Sequence, residues 1–391
     1  MYKVQRTEYC VQRRFLFLLN TRYPVPCTKK KKMTNNNNYV VIMAGGIGSR
    51  FWPFSRTKSP KQFHDVLGVG KTLLQQTAER FTNVCPPENI YIVTNKDYKD
   101  LVKKQLPFLN DDQVLLEPIG RNTAPCVAYA CYKIQAKNPA ANIVVSPSDH
   151  IIMKEQVFEN VILTALEETQ NKDILITLGI TPSRPDTGYG YIQYKEGSGP
   201  IHKVKTFTEK PQLEMAKTFL ESGDFVWNAG IFVWNVQSIT KKIKQFLPEL
   251  SLIFEKGKET YYSSAETDYI NTAYSQCTNI SIDFGIMEKA DNVHVLLCEF
   301  GWSDLGTWKS LFESQEKNGE NNVLDGNIMT YNTTNSIIKT PKNKLVVVQG
   351  LDGYIVAEYD DVIMICKKDE EQKVKDFVAD VKARKDCVDY I

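Results

Sequence analysis

Hydrophobic and polar positions follow two alternating periods between residues 39 and 180. Short apolar runs typical of buried strands occur at "YVVIM" (39–43), "NIYIVT" (89–94), "QVLLE" (113–117), "NIVVSP" (142–147) and "ILITLGI" (174–180). Between these runs, apolar residues recur at helical spacing from Leu73 to Phe81 and from Val157 to Leu166. Strands that alternate with amphipathic helices predict an α/β fold of βαβ units, with a parallel sheet covered on both faces.

The pattern changes after about residue 315. The stretch 326–368 consists of short strand-like runs separated by Gly, Asn and Asp-Gly turns, and a charged helix is predicted over 369–385. We therefore expect three parts: a disordered basic extension over 1–38, an α/β domain over 39–315, and a small β-rich domain over 316–391 that ends in a helix.

Composition narrows the function classes. Of the 391 residues, 42% are hydrophobic and 24% are charged, as in ordinary soluble globular proteins. The net charge of +2 gives no reason to expect nucleic acid or a membrane as a partner, and no apolar run approaches the ~20 residues of a membrane span. The nine cysteines include no C-x-x-C pair, which favours a reducing, cytoplasmic compartment.

Positive charge is concentrated at the start of the chain, where residues 1–32 contain nine Lys or Arg residues and one Glu. One interpretation is a basic arm for targeting or for binding an anionic surface. We instead predict a disordered extension ahead of the fold, because strand-like patterning begins only at Tyr39.

A glycine-rich loop, "MAGGIGSRFWPFSRTKSPKQF" (43–63), includes the end of the first predicted strand. Gly45, Gly46 and Gly48 would let backbone N–H groups approach phosphate oxygens, and Arg50 and Lys61 would add positive charge. The loop lacks the G-K-[ST] of a P-loop, and its spacing is not the dinucleotide-binding G-x-G-x-x-G. The alternative to a triphosphate-binding loop is a tight turn between a strand and a helix.

Two carboxylates stand in loops that are candidates for metal binding. "SPSDH" places Asp149 just beyond the fourth predicted strand, and "GWSDLGTW" supplies Asp304. Ligands of such sheets bind at the carboxyl ends of the strands. Asp149 could cap a helix, or the two carboxylates could bind Mg²⁺ together with phosphate oxygens.

The loop "LEPIGRNTAP" presents Gly120 and Arg121 ahead of a predicted helix whose N-cap is Asn122 or Thr123. It is either a capping turn or a loop that recognises a nucleotide base.

Three further stretches, "DTGYGYI", "FTEKP" and "WNAGIFVW", place Gly190, Glu209, Lys210 and Asn228 beside predicted strands. A carboxylate and an amide suit sugar hydroxyls, and a lysine suits a second phosphate. A surface turn at Glu209 and Lys210 is the alternative.

In this order, the stretches resemble the mannose-1-phosphate guanylyltransferases, also called GDP-mannose pyrophosphorylases. The matching segments also include "SIDFGIMEKA" and span about residues 39–310. The resemblance implies a Rossmann-like nucleotidyltransferase domain with a mixed, mostly parallel sheet, followed by a small β-rich domain. It also implies Mg²⁺ as cofactor and transfer of GMP from GTP to mannose 1-phosphate. The cupin-like isomerase domain of longer bifunctional members has no counterpart here, so phosphomannose isomerase activity is not expected.

The resemblance also implies a role for each matching residue. Arg50 and Lys61 would be catalytic, and Asp149 and Asp304 would bind the metal. The nucleotide would be bound by Ala44, Gly45, Gly46, Gly48, Gly120, Asn122, Thr123, Pro147 and Ser148. The sugar phosphate would be bound by Gly190, Glu209, Lys210 and Asn228.

Two alternatives remain open at this point. The chain could be a related nucleotidyltransferase that uses another nucleoside triphosphate or hexose 1-phosphate, or a catalytically silent subunit that senses sugar nucleotides. A homodimer is an open alternative to a monomer.

Overall fold

Alternate side chains of the first strand, β1 (Asn38–Met43), pack on opposite faces of a large sheet. The structure is a computed structural model that describes residues 35–391, with the backbone alone at 385, 386 and 388. Val40 and Ile42 belong to the hydrophobic core on one face, and Tyr39 and Val41 to the core on the other. All four are buried, so the two-residue period of the strand places β1 between two layers.

The strands that follow β1 up to residue 303 are β2 (Ile90–Asn95), β3 (Val114–Glu117), β4 (Asn142–Pro147), β5 (Ile151–Ile152), β6 (Leu175–Ile180), β7 (Tyr191–Tyr194), β8 (Ile201–Thr208), β9 (Phe225–Asn235), β10 (Val293–Cys298) and β11 (Trp302–Ser303). Apart from β5 and β11, which pair with each other, they join β1 in a nine-stranded sheet of order β3–β2–β1–β4–β9–β6–β10–β8–β7. The predicted mixed sheet is confirmed, but it is not mostly parallel, because five of its strand pairings are antiparallel and four are parallel. Its parallel pairings are β3–β2–β1–β4 and β6–β10, because β9 inserts antiparallel between β4 and β6.

The helices are α1 (Leu73–Arg80), α2 (Lys99–Gln105), α3 (Thr123–Lys137), α4 (Glu155–Gln170), α5 (Leu213–Ser222), α6 (Val236–Phe246), α7 (Pro248–Lys256), α8 (Glu266–Gln276), α9 (Trp308–Ser314) and α10 (Val374–Ala383). Helices α1, α2 and α4 cover one face of the sheet, and α3, α6, α7 and α8 cover the other. α1 begins at Leu73 as predicted, because Thr72 and Gln75 form a capping box at its start.

The C-terminal strands are β12 (Val323–Asp325), β13 (Asn327–Tyr331), β14 (Ile337–Lys339), β15 (Leu345–Gln349), β16 (Tyr354–Tyr359) and β17 (Val362–Lys367). β12, β14 and β16 stack in parallel, and so do β13 and β15, while β17 runs antiparallel to β16. From β12 to β16, each strand pairs in parallel with the strand two positions away in the sequence, so the chain winds around an axis in successive turns. The predicted β-rich region is confirmed, but the turn residues could not reveal this coiling, since they mark where the chain bends and not which strand it then joins.

One hydrophobic cluster joins the glycine-rich loop to the C-terminal region. It contains Phe51 from the loop, Ile337 and Ile355 from the C-terminal strands, and Val374 from α10. Trp52 strengthens the contact, because its Nε1 donates a hydrogen bond of 2.8 Å to the carbonyl of Tyr390. The C-terminal strands and helix therefore pack directly against the loop that follows β1.

The end of the chain departs from the predicted helix over 369–385. α10 is shorter and is flanked by 3₁₀ turns at Lys368–Lys373 and Lys385–Tyr390. The predicted disordered extension over 1–38 lies outside the described residues as far as residue 34, but Asn38 already belongs to β1, so the strand begins one residue earlier than predicted. Within residues 35–391, no helix is both long and apolar enough to cross a membrane.

Candidate active site

A cleft of about 290 Å³ opens at the carboxyl ends of β1 and β4. It is lined by Gly48 and Arg50 of the glycine-rich loop, by Lys61, and by the two candidate metal ligands Asp149 and Asp304. These five residues come from three separate segments of the sequence, and the fold brings the segments together at the edge where ligands of such sheets bind.

Lys61 bridges the two acidic loops of the cleft. Its Nζ lies 2.7 Å from Asp149 Oδ2 and donates to the carbonyls of Asp304 (3.1 Å) and Leu305 (2.9 Å). Only 4% of its side chain is exposed, so a buried ammonium group has three acceptors around it. Gly48 makes room for this arrangement: its φ is 71°, and a Cβ there would stand 3.0 Å from Lys61 Cβ.

The charge state of Asp149 follows from its neighbours. Burial acts to raise the pKa of its carboxyl, but the charges of Lys61 and His150 outweigh burial, so the pKa lies below its usual value. Burial lowers the pKa of His150, whose Nδ1 accepts a hydrogen bond of 3.2 Å from Trp302 Nε1. The carboxyl of Asp149 is therefore ionised at pH 7, and the lowered pKa of His150 leaves that histidine neutral there.

Asp304 is oriented by two donors. Its Oδ1 accepts hydrogen bonds from Tyr189 Oη at 2.7 Å and from the Gly306 amide at 3.0 Å. Among the described residues, no group of three or more His, Cys, Asp or Glu is placed to hold a metal ion. Two carboxylates beside a phosphate-sized cleft nevertheless fit Mg²⁺, which takes one or two protein carboxylates and completes its shell with phosphate oxygens and water.

The backbone before the glycines is fixed by buried hydrogen bonds. The carbonyl of Ala44 accepts from Thr94 Oγ1 (2.8 Å) and Gln62 Nε2 (2.9 Å), while Gly45 and Gly46 are exposed. The backbone at the end of β1 is therefore held by hydrogen bonds, and the two glycines that follow expose backbone without side chains to solvent.

The proposed base-recognition loop is tied to the same edge of the sheet. Asn122 is the N-cap of α3, with its side chain accepting from the Thr123 amide at 2.9 Å, whereas Gly120 is exposed. At the end of β4, Pro147 is partly buried, and Ser148 is buried with its amide donating to the carbonyl of Met43 at 3.0 Å. The loop at Gly120–Thr123 follows β3, which is separated from β1 by β2, and Pro147–Ser148 lies at the end of β4, which pairs directly with β1. The two segments therefore lie on opposite sides of the glycines that follow β1.

Sequence reasoning missed Glu117, the last residue of β3. It is buried at 7% exposure, burial raises its pKa to about 7, and within the described residues its Oε1 has no hydrogen-bond partner. Its Oε2 lies 3.2 Å from the position that a Cβ would take at Gly45. The signal was present, because "LEPIGRNTAP" puts an acid at a strand's carboxyl end directly before the loop.

The four predicted sugar-phosphate residues also form one group. The backbone N–H of Asn228 donates a hydrogen bond of 2.8 Å to the backbone carbonyl of Gly190, and Lys210 forms a salt bridge with Glu209. A Cβ on Gly190 would stand 2.5 Å from Glu209 Oε2, so only glycine fits beside this carboxylate.

Asp283 joins this group and was also missed. Its Oδ1 accepts from Asn228 Nδ2 at 2.9 Å, and burial, followed by the charge of Glu209, raises its pKa to about 7. Asp283 lies in "SIDFGIMEKA", a stretch that matches the family pattern but in which no residue had been given a role.

Sequence comparisons place the chain among known enzymes. A profile described as "Nucleotidyl transferase" matches residues 39–321, and one described as "MannoseP isomerase/GMP-like beta-helix domain" matches residues 326–381. Mannose-1-phosphate guanylyltransferase 2 of Escherichia coli O157:H7 is 34% identical over 351 residues, 86% of this chain and 72% of that protein. The mannose-1-phosphate guanylyltransferase of Salmonella muenchen is 35% identical over 352 residues, 87% of this chain and 72% of that protein.

A solved structure shares the fold over nearly the same length. The crystal structure described as mannose-1-phosphate geranyltransferase from Thermus thermophilus superposes with a TM-score of 0.79 at 31% identity, covering 88% of this chain and 99% of that one. The resemblance seen in the motifs is thus confirmed over most of the sequence and the fold. The chain belongs to the nucleotidyl transferase family, among the mannose-1-phosphate guanylyltransferases.

Proposed function

We propose that the protein transfers GMP from GTP to α-D-mannose 1-phosphate, giving GDP-mannose and pyrophosphate. The observation that carries this proposal is the cleft in which Arg50, Lys61, Asp149 and Asp304 meet at the strand ends. A reaction between two polyanions requires cations that offset their repulsion, and the carboxylate oxygens can hold a metal cation for the same purpose. The names of the relatives supply the identity of the nucleotide and the sugar.

In this reaction, a phosphate oxygen of mannose 1-phosphate attacks the α-phosphorus of GTP in line. The new bond joins that oxygen to the α-phosphorus, and the bond to the β-phosphate oxygen breaks, so pyrophosphate leaves with the electron pair. The phosphate dianion is already a nucleophile, and no general base is needed. Catalysis then consists of positioning and charge neutralisation, and we assign these tasks to Arg50 and Lys61.

Asp149 and Asp304 would hold Mg²⁺ in this proposal. When bound, the metal would neutralise charge on the phosphate oxygens of the nucleotide. The hydrogen bonds from Tyr189 and Gly306 to Asp304 keep one oxygen of that carboxylate fixed. Lys61 would balance the charge of Asp149, with which it forms a pair at 2.7 Å.

We assign guanine recognition to Glu117 together with the loop at Gly120–Thr123 and the backbone at Pro147–Ser148. Guanine carries N–H donors at N1 and N2, whereas adenine has no donor at these positions. A buried carboxylate whose Oε1 has no other partner in the described residues suits those donors. Its position beside Gly45 would place the base at the start of the glycine-rich loop.

We assign sugar recognition to the pocket of Gly190, Glu209 and Asn228, and binding of the phosphate of mannose 1-phosphate to Lys210. Mannose and glucose differ in the orientation of the C2 hydroxyl alone. A pocket built for one epimer leaves a buried polar group unpaired with the other, at a cost of about 1–3 kcal/mol. We therefore expect mannose 1-phosphate to be preferred over glucose 1-phosphate.

A homodimer in the cytoplasm is part of the proposal. Apolar side chains on the outer faces of two C-terminal strands are more than half exposed: Leu345 and Val347 on β15, and Ile363 and Ile365 on β17. Exposed apolar faces of this kind mark protein interfaces. Static light scattering on a size-exclusion column should give twice the mass of the chain, and a monomer mass would contradict the dimer.

The enzyme assay tests the activity directly. Purified protein is incubated with each of four nucleoside triphosphates and a panel of hexose 1-phosphates, with and without Mg²⁺, and pyrophosphate release is measured. We expect release with GTP, mannose 1-phosphate and Mg²⁺ together. Equal rates with glucose 1-phosphate would overturn the sugar assignment, and no release with any pair would overturn the enzyme assignment.

A further inference from the structure

The segment that leads into α10 is anchored on the glycine-rich loop and on the Asp304 side of the cleft. The buried Glu371 accepts the amide of Lys309, in the first turn of α9, at 2.7 Å. Gln372 Oε1 accepts Arg50 Nε at 3.1 Å. Val374 is fully buried in the cluster that contains Phe51. The start of α10 is therefore fixed beside the cleft by packing and by two hydrogen bonds.

Lys375 is the next residue, and its side chain is exposed. Partial burial and the charge of Arg50 lower the pKa of its ammonium group, Asp376 opposes the shift, and Lys210 adds to it. Lys375 thus lies within electrostatic range of both the triphosphate residue Arg50 and the sugar-phosphate residue Lys210. Geometry places Lys375 beside Arg50, because Gln372 hydrogen-bonds Arg50 and Val374 packs in the cluster that contains Phe51.

Among the described residues, two of these three cations have no salt-bridge partner. Lys210 has Glu209 as its partner, but within residues 35–391 neither Arg50 nor Lys375 forms a salt bridge, and the contact that Arg50 makes is to the neutral amide of Gln372. Like charges held together repel one another, so their convergence favours the binding of an anion between them. Phosphate groups are the anions that this cleft is proposed to bind.

We propose that Lys375 contacts the phosphates of the substrates, so that the C-terminal helix contributes a catalytic residue to the active site. This inference rests on the proposed function. Arg50 belongs to the triphosphate side of the site and Lys210 to the sugar-phosphate side. Because α10 begins against Arg50, Lys375 would reach phosphate on the triphosphate side of the cleft, and the charge of Lys210 acts on it from the sugar-phosphate side.

The test compares four full-length proteins: wild type, Lys375→Ala, Lys375→Arg and the control Lys382→Ala. Lys382 is exposed on the same helix, two turns further from the cleft, so the control removes the same charge from the same element. Initial rates of pyrophosphate release are measured while GTP and mannose 1-phosphate are varied separately. Melting temperatures of all four confirm that each is folded.

We expect Lys375→Ala to lose about tenfold or more in kcat/KM, since a charge-assisted hydrogen bond to phosphate is removed. Lys375→Arg should recover most of the loss, and Lys382→Ala should stay within about twofold of wild type. A rise in KM for GTP places the contact on the nucleotide, and a rise in KM for mannose 1-phosphate places it on the sugar phosphate. Either result supports the proposal.

Two results would overturn it, and they are distinguishable. If wild type is active and Lys375→Ala matches Lys382→Ala in both kcat and KM, Lys375 is a surface residue and the proposed function stands. If wild type releases no pyrophosphate from any substrate pair, the proposed function fails and this inference fails with it.

Discussion

Lys61→Ala should lower both the stability of the protein and its rate of catalysis. The substitution leaves Asp149 without its partner and leaves the carbonyls of Asp304 and Leu305 without their donor. Removing one member of a buried ion pair costs about 3–5 kcal/mol. The Asp149 side chain is 32% exposed and stays partly solvated, so we expect the lower part of that range.

The melting temperature should fall accordingly. Chains of 150–250 residues lose roughly 2–4 °C per kcal/mol, and this longer chain should lose somewhat less per kcal/mol. The matched control is Lys58→Ala, because Lys58 pairs with Asp389 at 3.3 Å while both side chains are more than four-fifths exposed. An exposed pair of this kind is worth about 0–1 kcal/mol, so the control should melt close to wild type.

The rate effect is measured on folded protein, at a temperature well below the transition. Loss of a cation that stabilises charge in the transition state costs on the order of 10²–10³ in kcat, with a smaller change in KM for GTP. If Lys61→Ala melts like Lys58→Ala, the buried pair is not formed. If its kcat is unchanged, Lys61 is structural only, and the catalytic assignment is refuted.

Three further predictions concern the rest of the site. Asp149→Asn and Asp304→Asn should each remove most Mg²⁺-dependent pyrophosphate release from folded protein, and the double variant should be little worse; multiplicative losses would assign them separate roles. Gly190→Ala places a methyl group 2.5 Å from Glu209 Oε2 and should raise KM for mannose 1-phosphate by roughly ten- to a hundredfold, with KM for GTP nearly unchanged as the internal control. Burial raises the pKa of Glu117 from 4.5 to about 7, so this residue contributes stability below pH 4.5 that is lost as pH rises to 7; Glu117→Gln should show a smaller fall in melting temperature between pH 5 and pH 8, and an unchanged fall would refute the shift.

The local parts of the fold were predictable because their signals are local. β4 coincides with the run "NIVVSP", and α1 begins where Thr72 caps it. Asn122 and Thr123 were the two candidates for the N-cap of α3, and Asn122 takes the position with a φ of 67°. Each of these signals lies within a few residues of the feature that it predicts.

The roles of the missed residues follow from contacts and burial that no local pattern contains, although a local signal marked the position of Glu117. Asp283 reaches Asn228 across 55 positions of sequence, and Gln372 reaches Arg50 across 322. The altered pKa of Glu117 arises from burial, which the sequence "LLEP" does not reveal. Motif matching found the segments that carry most of the site, but it could not find a side chain whose role follows from what the fold places beside it.

The packing of the C-terminal region links the stability of the fold to the chemistry of the cleft. Phe51 follows Arg50 in the chain, and Val374 precedes Lys375, and both apolar residues lie in one hydrophobic cluster. The separation of the two cations is therefore set by the packing of their neighbours and by the hydrogen bond from Arg50 to Gln372. Because repulsion would otherwise push the charges apart, a well-packed cluster is what keeps them in position before any phosphate arrives. Positioning of this kind is what a reaction without a general base requires of its protein.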